Sequence, residues 1–227
     1  VRAKGGRMFA QLMHVGRVGH PANMPAGAEL VAPSAVATAG EMYTDAQGMQ
    51  PHPVPRAMTE ADIRKTIDEF AQAARNAREA GFEGIELHAA NGYLLEQFLN
   101  PGTNQRTDAY GGSIENRCRF VLEVAAATAE AIGKDRVGIR LSPHGVFNGM
   151  APFDEVEPQY AHLARRLGEL GLVYVHLVDH SAMGAPKPVA ATIDAIRSAF
   201  SGTLVLSGGY DLERANADLA AGKGQLI

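Results

Sequence analysis

The sequence predicts an α/β fold of parallel strand–helix units, best matched by a (β/α)8 TIM barrel. From residue 59 onward, stretches with a helical period alternate with short apolar runs, which is typical of parallel βα units. That alternation suits a barrel and an open doubly wound sheet equally. Polar side chains recur where the predicted strands end, at His14, His88, Arg140, His176 and Ser207. This favours the barrel, whose enzymes carry their chemistry at that edge, although open sheets also bind ligands there.

The amino-terminal half predicts two strands and one long helix. Residues 8–14 form an apolar run of strand length. Thr59 and Asp62 have the spacing of a capping box, and the apolar residues after them recur at intervals of three and four until Gly81, which predicts a helix. Residues 84–88 form a short apolar run that predicts the next strand.

The same unit repeats toward the carboxyl end. The predicted helices cover residues 114–132, 158–170, 188–200 and a segment opened by Asp211. The predicted strands cover residues 137–142, 173–178, 203–207 and 224–227. The total is about six of the eight strands of a barrel, so we expect an incomplete ring.

The long segment 15–58 lacks a helical period and contains prolines throughout. A loop of this length in a compact domain is usually functional or disordered. No low-complexity segment or internal boundary follows it. We therefore predict that residues 1–227 form one partial barrel domain.

Composition excludes several classes of protein. A chain of 227 residues with 46% hydrophobic and 20% charged residues is globular rather than disordered. A net charge of −4 without a basic block disfavours nucleic acid as a partner. No apolar window is long enough to span a membrane or form an export signal, which predicts a cytoplasmic protein without a membrane partner. The single cysteine, Cys118, excludes a disulfide framework, a cysteine zinc site and a four-cysteine iron–sulfur cluster. Because the chain begins with Val1, we expect an upstream segment.

The sharpest candidate site is the group His88, Asn91 and Tyr93, which leaves a strand end within six residues. An imidazole N–H and an amide N–H₂ can bind and polarise a carbonyl or nitro oxygen, while a phenol can deliver a proton to carbon. A helix-capping Asn beside a core His and Tyr explains the same spacing equally well.

Two polar residues lie inside apolar strands. Arg140 needs an anionic or acceptor-rich partner, because a buried unpaired guanidinium is costly. That partner is either a buried carboxylate or a ligand such as a phosphate or an electron-rich ring. Gln11 has the same two interpretations, a ligand contact or a bond to neighbouring backbone.

Gly208 and Gly209 follow a strand and precede a helix, the pattern of a phosphate cradle and also of a simple turn. No Gly-x-Gly-x-x-Gly and no Walker A sequence occurs. His176 and His180 are the best metal pair, but they lie on a strand and its exit instead of one helix face, so no metal is predicted.

Five ordered motifs resemble the old yellow enzyme family of flavin-dependent ene-reductases. They are FAQLMHVGR from residue 9, APSA from residue 32, GFEGIELHAANGYL from residue 81, residues 104–117, and VGIRLSP from residue 137. The similarity is strongest to the bacterial branch of N-ethylmaleimide and nitroester reductases.

The resemblance implies FMN as cofactor and NAD(P)H as reductant. It also implies that hydride passes from flavin N5 to an electrophilic alkene or nitro compound, a small-molecule partner. His88 and Asn91 would bind the substrate oxygen, and Tyr93 would protonate the α-carbon. We expect this activity, with a truncated, non-catalytic fragment that does not retain FMN as the alternative.

The resemblance further implies that Gln11 and Arg140 contact the flavin ring and that Gly208 and Gly209 belong to the FMN phosphate site. Met13 stands where many family members carry tryptophan, which puts the shape of the substrate pocket in doubt. The family's first two strands and its last strand and helix have no counterpart here.

Overall fold

The structure is a computed structural model that describes residues 1–227 apart from the side chain of residue 2. Its strands are β1 (Phe9–Leu12), β2 (Val31–Ala32), β3 (Glu41–Thr44), β4 (Gly48–Pro51), β5 (Arg56–Ala57), β6 (Gly84–Ala89), β7 (Val137–Leu141), β8 (Tyr174–Val178) and β9 (Thr203–Ser207). Its α-helices are α1 (Glu60–Glu79), α2 (Leu94–Leu99), α3 (Ile114–Ile132), α4 (Val156–Leu170), α5 (Ala190–Ala199) and α6 (Leu212–Ala220).

The main sheet has five strands in the order β1-β6-β7-β8-β9, and every neighbouring pair is parallel. Helices connect β6 to β7, β7 to β8 and β8 to β9, and the strand order follows the chain order without the reversal of a doubly wound sheet, as in a barrel. The predicted α/β fold, an incomplete TIM barrel, is confirmed.

The predicted sixth strand, residues 224–227, is wrong as a strand. Only an isolated parallel bridge forms there, between Leu226 and Val205. The Leu206 N–H donates to the Leu226 carbonyl at 2.9 Å, and the Gln225 N–H donates to the Leu204 carbonyl at 2.9 Å. These few bonds tie the segment to one side of β9 without extending the ladder.

Local sequence signals set the helix ends. The Thr59 hydroxyl accepts the Asp62 N–H, and the Asp62 carboxylate accepts the Thr59 N–H, so the predicted capping box is present. Ser113 caps α3 in the same way and Asp211 caps α6. Helix α3 ends at Gly133, as predicted, whereas α4 begins at Val156, two residues before the predicted start.

The two faces of the main sheet differ sharply in polarity. Side chains alternate along each strand, so Leu87, Ile139 and Val175, all 0% exposed, point outward into the core shared with the helices. Glu86 and Arg140 point to the opposite, inner face, where side chains are mostly half-buried. The inner face is the one a ligand can reach.

The long segment before α1 is ordered. Strand β2 pairs with β5 in parallel, and β3 and β4 form an antiparallel hairpin, none of which the sequence pattern predicted. The buried Arg17 guanidinium ties this segment to a later loop: Nη2 donates to the carbonyls of Asn148 and Gly149 at 2.9 Å each. Its Nη1 donates to the carbonyls of Val36 and Ala37 at 3.4 and 3.3 Å.

None of the helices in the described part of the chain combines the length and the apolar character needed to cross a membrane.

Candidate functional site

His88 lies near the carboxyl end of β6, in register with Arg140 on β7. Its side chain is buried, and its Nδ1 atom has no hydrogen-bond partner among the described residues. Burial, followed by the nearby Arg140 charge, lowers the pKa of His88 to about 4. The imidazole is therefore neutral near pH 7 and offers a single N–H donor. Its ring centroid lies 5.3 Å from that of Tyr93.

Asn91 forms a tight turn with Gly92 between β6 and α2. Both residues have positive φ, 61° and 76°, in the left-handed region. The buried Asn91 Oδ1 has no partner among the described residues. The N-cap of α2 is Tyr93, and no side chain caps that helix by a hydrogen bond. The helix-capping interpretation of Asn91 is therefore not met.

Arg140 occupies the middle of the inner face, between His88 and His176 in register. It is half-buried, its Nε has no hydrogen-bond partner, and it forms no ion pair with a carboxylate within the described residues. The buried-carboxylate interpretation is not met either. The guanidinium remains available to an electron-rich or anionic ligand.

Gly208 and Gly209 follow β9 with φ of 100° and 62°. A Cβ on Gly208 would collide with the Asp179 carbonyl oxygen, and one on Gly209 would lie 2.9 Å from the Ala182 Cβ. Arg214 Nη1 donates to both glycine carbonyls, at 3.3 and 3.2 Å, whereas neither glycine N–H has a hydrogen-bond acceptor in the described part of the chain. Two glycine N–H donors beside a cation can bind an anion such as a phosphate.

One cavity of about 340 Å³ brings most of the predicted site together. Its lining includes Asn91, Tyr93, Arg140, Gly208 and Gly209. These residues come from the ends of three different strands.

Two predicted residues, His88 and Gln11, do not line this cavity. His88 is the register partner of Arg140, one strand away. Gln11 is exposed on β1, and its Nε2 donates to Glu86 Oε1 at 2.7 Å. The Gln11 amide therefore bonds to a side chain, and the interpretation that it bonds to neighbouring backbone is not met.

A chain of hydrogen-bonded polar side chains that the sequence analysis missed crosses the inner face next to Arg140. Glu86 Oε2 lies 2.9 Å from His176 Nδ1, and His176 Nε2 lies 2.7 Å from Ser207 Oγ. Burial acts to raise the pKa of Glu86, but the hydrogen bonds from His176 and Gln11 outweigh it and lower the pKa. The ring of His180 meets Phe147 edge-on at 4.6 Å. The two histidines of the candidate metal pair thus have different partners.

Glu96 is the second missed residue, buried in α2 directly behind the Asn91–Gly92 turn. A charged residue inside the apolar run 94–99 was the available signal.

The model of the NADH:flavin oxidoreductase / NADH oxidase family matches residues 1–227, the whole chain. The chain therefore belongs to this family, and the similarity to old yellow enzymes is confirmed. FMN is the family's cofactor and NAD(P)H its reductant.

Relatives of named activity support the assignment. The chain is 44% identical over 220 residues to chanoclavine-I aldehyde reductase fgaOx3 of Penicillium roqueforti, covering 95% of this chain and 57% of the relative. It is 40% identical over 232 residues to a probable flavin mononucleotide-dependent alkene reductase of Leishmania infantum, covering 100% of this chain and 62% of that protein.

Solved structures agree. Morphinone reductase superposes with a TM-score of 0.93 at 41% identity, and the old yellow enzyme homologue of Zymomonas mobilis with 0.92 at 36%. Both comparisons cover 100% of this chain and 62% or 63% of the other. The chain thus spans about three-fifths of the length of these relatives.

The residues present in this structure suit FMN. An uncompensated guanidinium, two glycine N–H groups without acceptors and an unpaired amide oxygen all border one cavity. Unsatisfied polar groups gathered in a concave site are typical of a ligand site.

Proposed function

We propose that this chain is the catalytic part of an FMN-dependent reductase that reduces the C=C bond of α,β-unsaturated carbonyl or nitro compounds with NAD(P)H. We further propose that residues 1–227 act as a single partial barrel domain. The observation that carries the proposal is the cavity of about 340 Å³ at the carboxyl edge of the strands, which Asn91, Tyr93 and Arg140 line together with the glycine turn.

In this proposal, four residues hold the cofactor. Arg140 would lie against the flavin ring, because its positive charge has no carboxylate partner among the described residues and favours an electron-rich ring. Gln11, whose amide is oriented by Glu86, would contact the same ring. The free N–H groups of Gly208 and Gly209 would take the phosphate. When bound, FMN supplies hydride transfer from NAD(P)H to the β-carbon of the substrate.

The substrate oxygen would be held by His88 and Asn91. The lowered pKa of His88 keeps the imidazole neutral, so the pair offers one imidazole N–H and an amide N–H₂. Donors aimed at this oxygen stabilise the negative charge that develops there during reduction. Tyr93 would then deliver its phenolic proton to the α-carbon.

The names of the relatives favour this substrate class. They include an aldehyde reductase, 12-oxophytodienoate reductases and an alkene reductase. A morphinone reductase with a superposable fold is known in complex with tetrahydroNAD, in line with a nicotinamide reductant. We infer an electrophilic alkene for this chain as well.

Separating the two half-reactions tests the proposal. Tyr93→Phe should slow alkene reduction by about 100-fold while leaving reduction of the flavin by NAD(P)H unchanged, because only the second half-reaction consumes the proton. Stopped-flow absorbance measures each step. Tyr43→Phe, which changes an exposed tyrosine of the β3–β4 hairpin, is the matched control. Equal slowing of both half-reactions by Tyr93→Phe would show that the role given to Tyr93 is wrong.

The alternative is a non-catalytic fragment that does not retain FMN. Exposure along β1 favours it: Phe9 is 37% exposed and Met13, just beyond the strand, is 48% exposed. An absorbance spectrum of the purified protein after incubation with FMN separates the two possibilities.

A further inference from the structure

Glu96 is a buried carboxyl group without a positively charged partner. It is 2% exposed, and no Lys, Arg or His pairs with it in the described residues. Three donors satisfy its oxygens. The Gly92 N–H donates to Oε2 at 2.6 Å, and the hydroxyls of Ser142 and Tyr160 donate to Oε1 at 2.6 and 3.2 Å.

The same carboxyl also reaches the backbone of Asn91 through a hydroxyl. Ser142 Oγ accepts the Asn91 N–H at 2.9 Å while it donates to Glu96. Glu96 thus holds two successive backbone N–H groups, that of Gly92 directly and that of Asn91 through Ser142.

These N–H groups belong to a turn that needs support. Asn91 has a φ of 61°, which is uncommon for a residue with a side chain. A Cβ on Gly92 would lie 2.6 Å from the Phe147 carbonyl oxygen, so the turn is also closely packed. A backbone conformation of this kind persists only where its surroundings over-determine it.

The other ionisable groups around Glu96 have pKa values moved away from neutrality or are held by hydrogen-bond partners. Burial raises the pKa of Tyr160 on α4 well above its usual value and that of Cys118 on α3 to about 12. Arg117 on α3 is occupied by Gln159 and Glu155. His144 lines a cavity of about 120 Å³ next to Glu96, and burial lowers its pKa.

Glu96 itself titrates close to neutrality. Burial raises its pKa to about 7, against smaller lowering effects of the hydrogen bonds from Ser142, Gly92 and Tyr160. The ionised carboxylate accepts all three bonds. A protonated carboxyl becomes a donor at one oxygen, so a neighbouring hydroxyl must turn, and the remaining bonds lose their charge assistance.

We propose that Glu96, acting with Ser142, is a positioning residue that holds the Asn91–Gly92 turn, aims the Asn91 amide at the substrate oxygen, and loosens that hold when it takes up a proton. The substrate part of this inference rests on the proposed function. The inference that Glu96 holds the Asn91–Gly92 turn is independent of the proposed function.

The first test needs neither flavin nor substrate. In ¹H–¹⁵N spectra of the wild-type protein, the amide resonances of Asn91 and Gly92 should shift together with a midpoint near the Glu96 pKa of about 7. Glu96→Gln should abolish this titration, and Glu123→Gln, which changes a carboxylate bonded to Tyr110, should leave it intact. If the wild-type resonances do not shift between about pH 5.5 and about pH 8.5, the proposal that Glu96 holds the turn is wrong. This measurement does not require any variant to fold.

The second test measures the affinity of cyclohex-2-enone for the oxidised holoprotein from the change in flavin absorbance. The affinity of the wild-type protein should fall about threefold to tenfold from about pH 8 to about pH 6, which corresponds to roughly one hydrogen bond. In Glu96→Gln the affinity should not change with pH. In an Asn91→Ala background, Glu96→Gln should have no further effect. An equal effect in both backgrounds would overturn positioning through Asn91. Absence of enone binding at every pH would overturn the proposed function. The amide titration alone would then decide whether Glu96 holds the Asn91–Gly92 turn.

Discussion

The outer face of the main sheet is apolar and fully buried against the helices, whereas the inner face carries half-buried polar side chains. Leu87 and Ile139 on the outer face are 0% exposed. On the inner face, His88 and Arg140 each keep a buried nitrogen without a partner among the described residues. The contrast indicates that the outer face of the sheet stabilises the fold and the inner face binds ligands. Substitutions on the outer face should change stability, and substitutions on the inner face should change ligand binding.

The largest expected effect is on the outer face. Ile139→Ala removes a fully buried side chain and should lower the free energy of unfolding by about 3 to 4 kcal/mol, from lost burial and the cavity left behind. Urea unfolding followed by circular dichroism measures it. Val205→Ala, a change at a half-buried position of the inner face, is the control and should cost about 1 kcal/mol. Equal losses would contradict the division between faces.

The next effect comes from Glu96, behind the turn. Its pKa is raised in the folded protein, to about 7, so its neutral form contributes stability that is complete below the unfolded pKa of 4.5 and is lost as pH rises toward 7. The difference in unfolding free energy between wild type and Glu96→Gln should change by about 3 kcal/mol across this window. Urea midpoints at a series of pH values measure it. A difference independent of pH would show that Glu96 does not titrate there.

His88, on the inner face, should show the opposite sign. Its folded pKa, about 4, is lower than its unfolded value of 6.5, so its contribution to stability is present above pH 6.5 and is lost as pH falls through 4. Local relaxation around the buried imidazole should limit the change to about 2 kcal/mol. His88→Asn should remove this acid-side loss in urea titrations, and His52→Asn, at a histidine in the segment before α1, should not. Retention of the loss in His88→Asn would assign it to another group.

The smallest effect concerns Arg140. Arg140→Leu should weaken FMN binding about tenfold, or about 1.4 kcal/mol, without lowering the free energy of unfolding, because no described carboxylate pairs with the guanidinium. Fluorescence titration of FMN and urea unfolding together measure the two quantities. Arg75→Leu on α1 is the control and should change neither. A clear loss of stability in Arg140→Leu would reveal a structural partner for this side chain.

Regular repeats were predictable because they follow from local chemistry. The capping box at Thr59 and the helix stop at Gly133 are local signals, and five of the predicted strands exist. Helix α2 was not predicted, since its six residues are all buried and show no amphipathic period. The last segment resembles a strand in composition, but only Leu226 forms a bridge.

The site was predictable only in part, for a related reason. His88, Asn91 and Tyr93 are neighbours in sequence, so spacing alone suggested a group. The pairing of Glu86 with His176 joins residues 90 positions apart and depends on strand register, which no local pattern records. Glu96 similarly meets Ser142, 46 positions away. The sequence also left open whether Arg140 pairs with a buried carboxylate. Strand register answers this, because it places His88 and His176 beside Arg140.

The most direct test is whether the inner face of the sheet holds the flavin. The purified protein should be incubated with FMN, passed through a desalting column and examined by absorbance and circular dichroism. We predict that the wild-type protein keeps the flavin bands, that NAD(P)H bleaches them and an enone restores them, and that Arg140→Leu loses most of the colour on the column. A folded wild-type protein that leaves the column colourless would show that the inner face does not hold FMN.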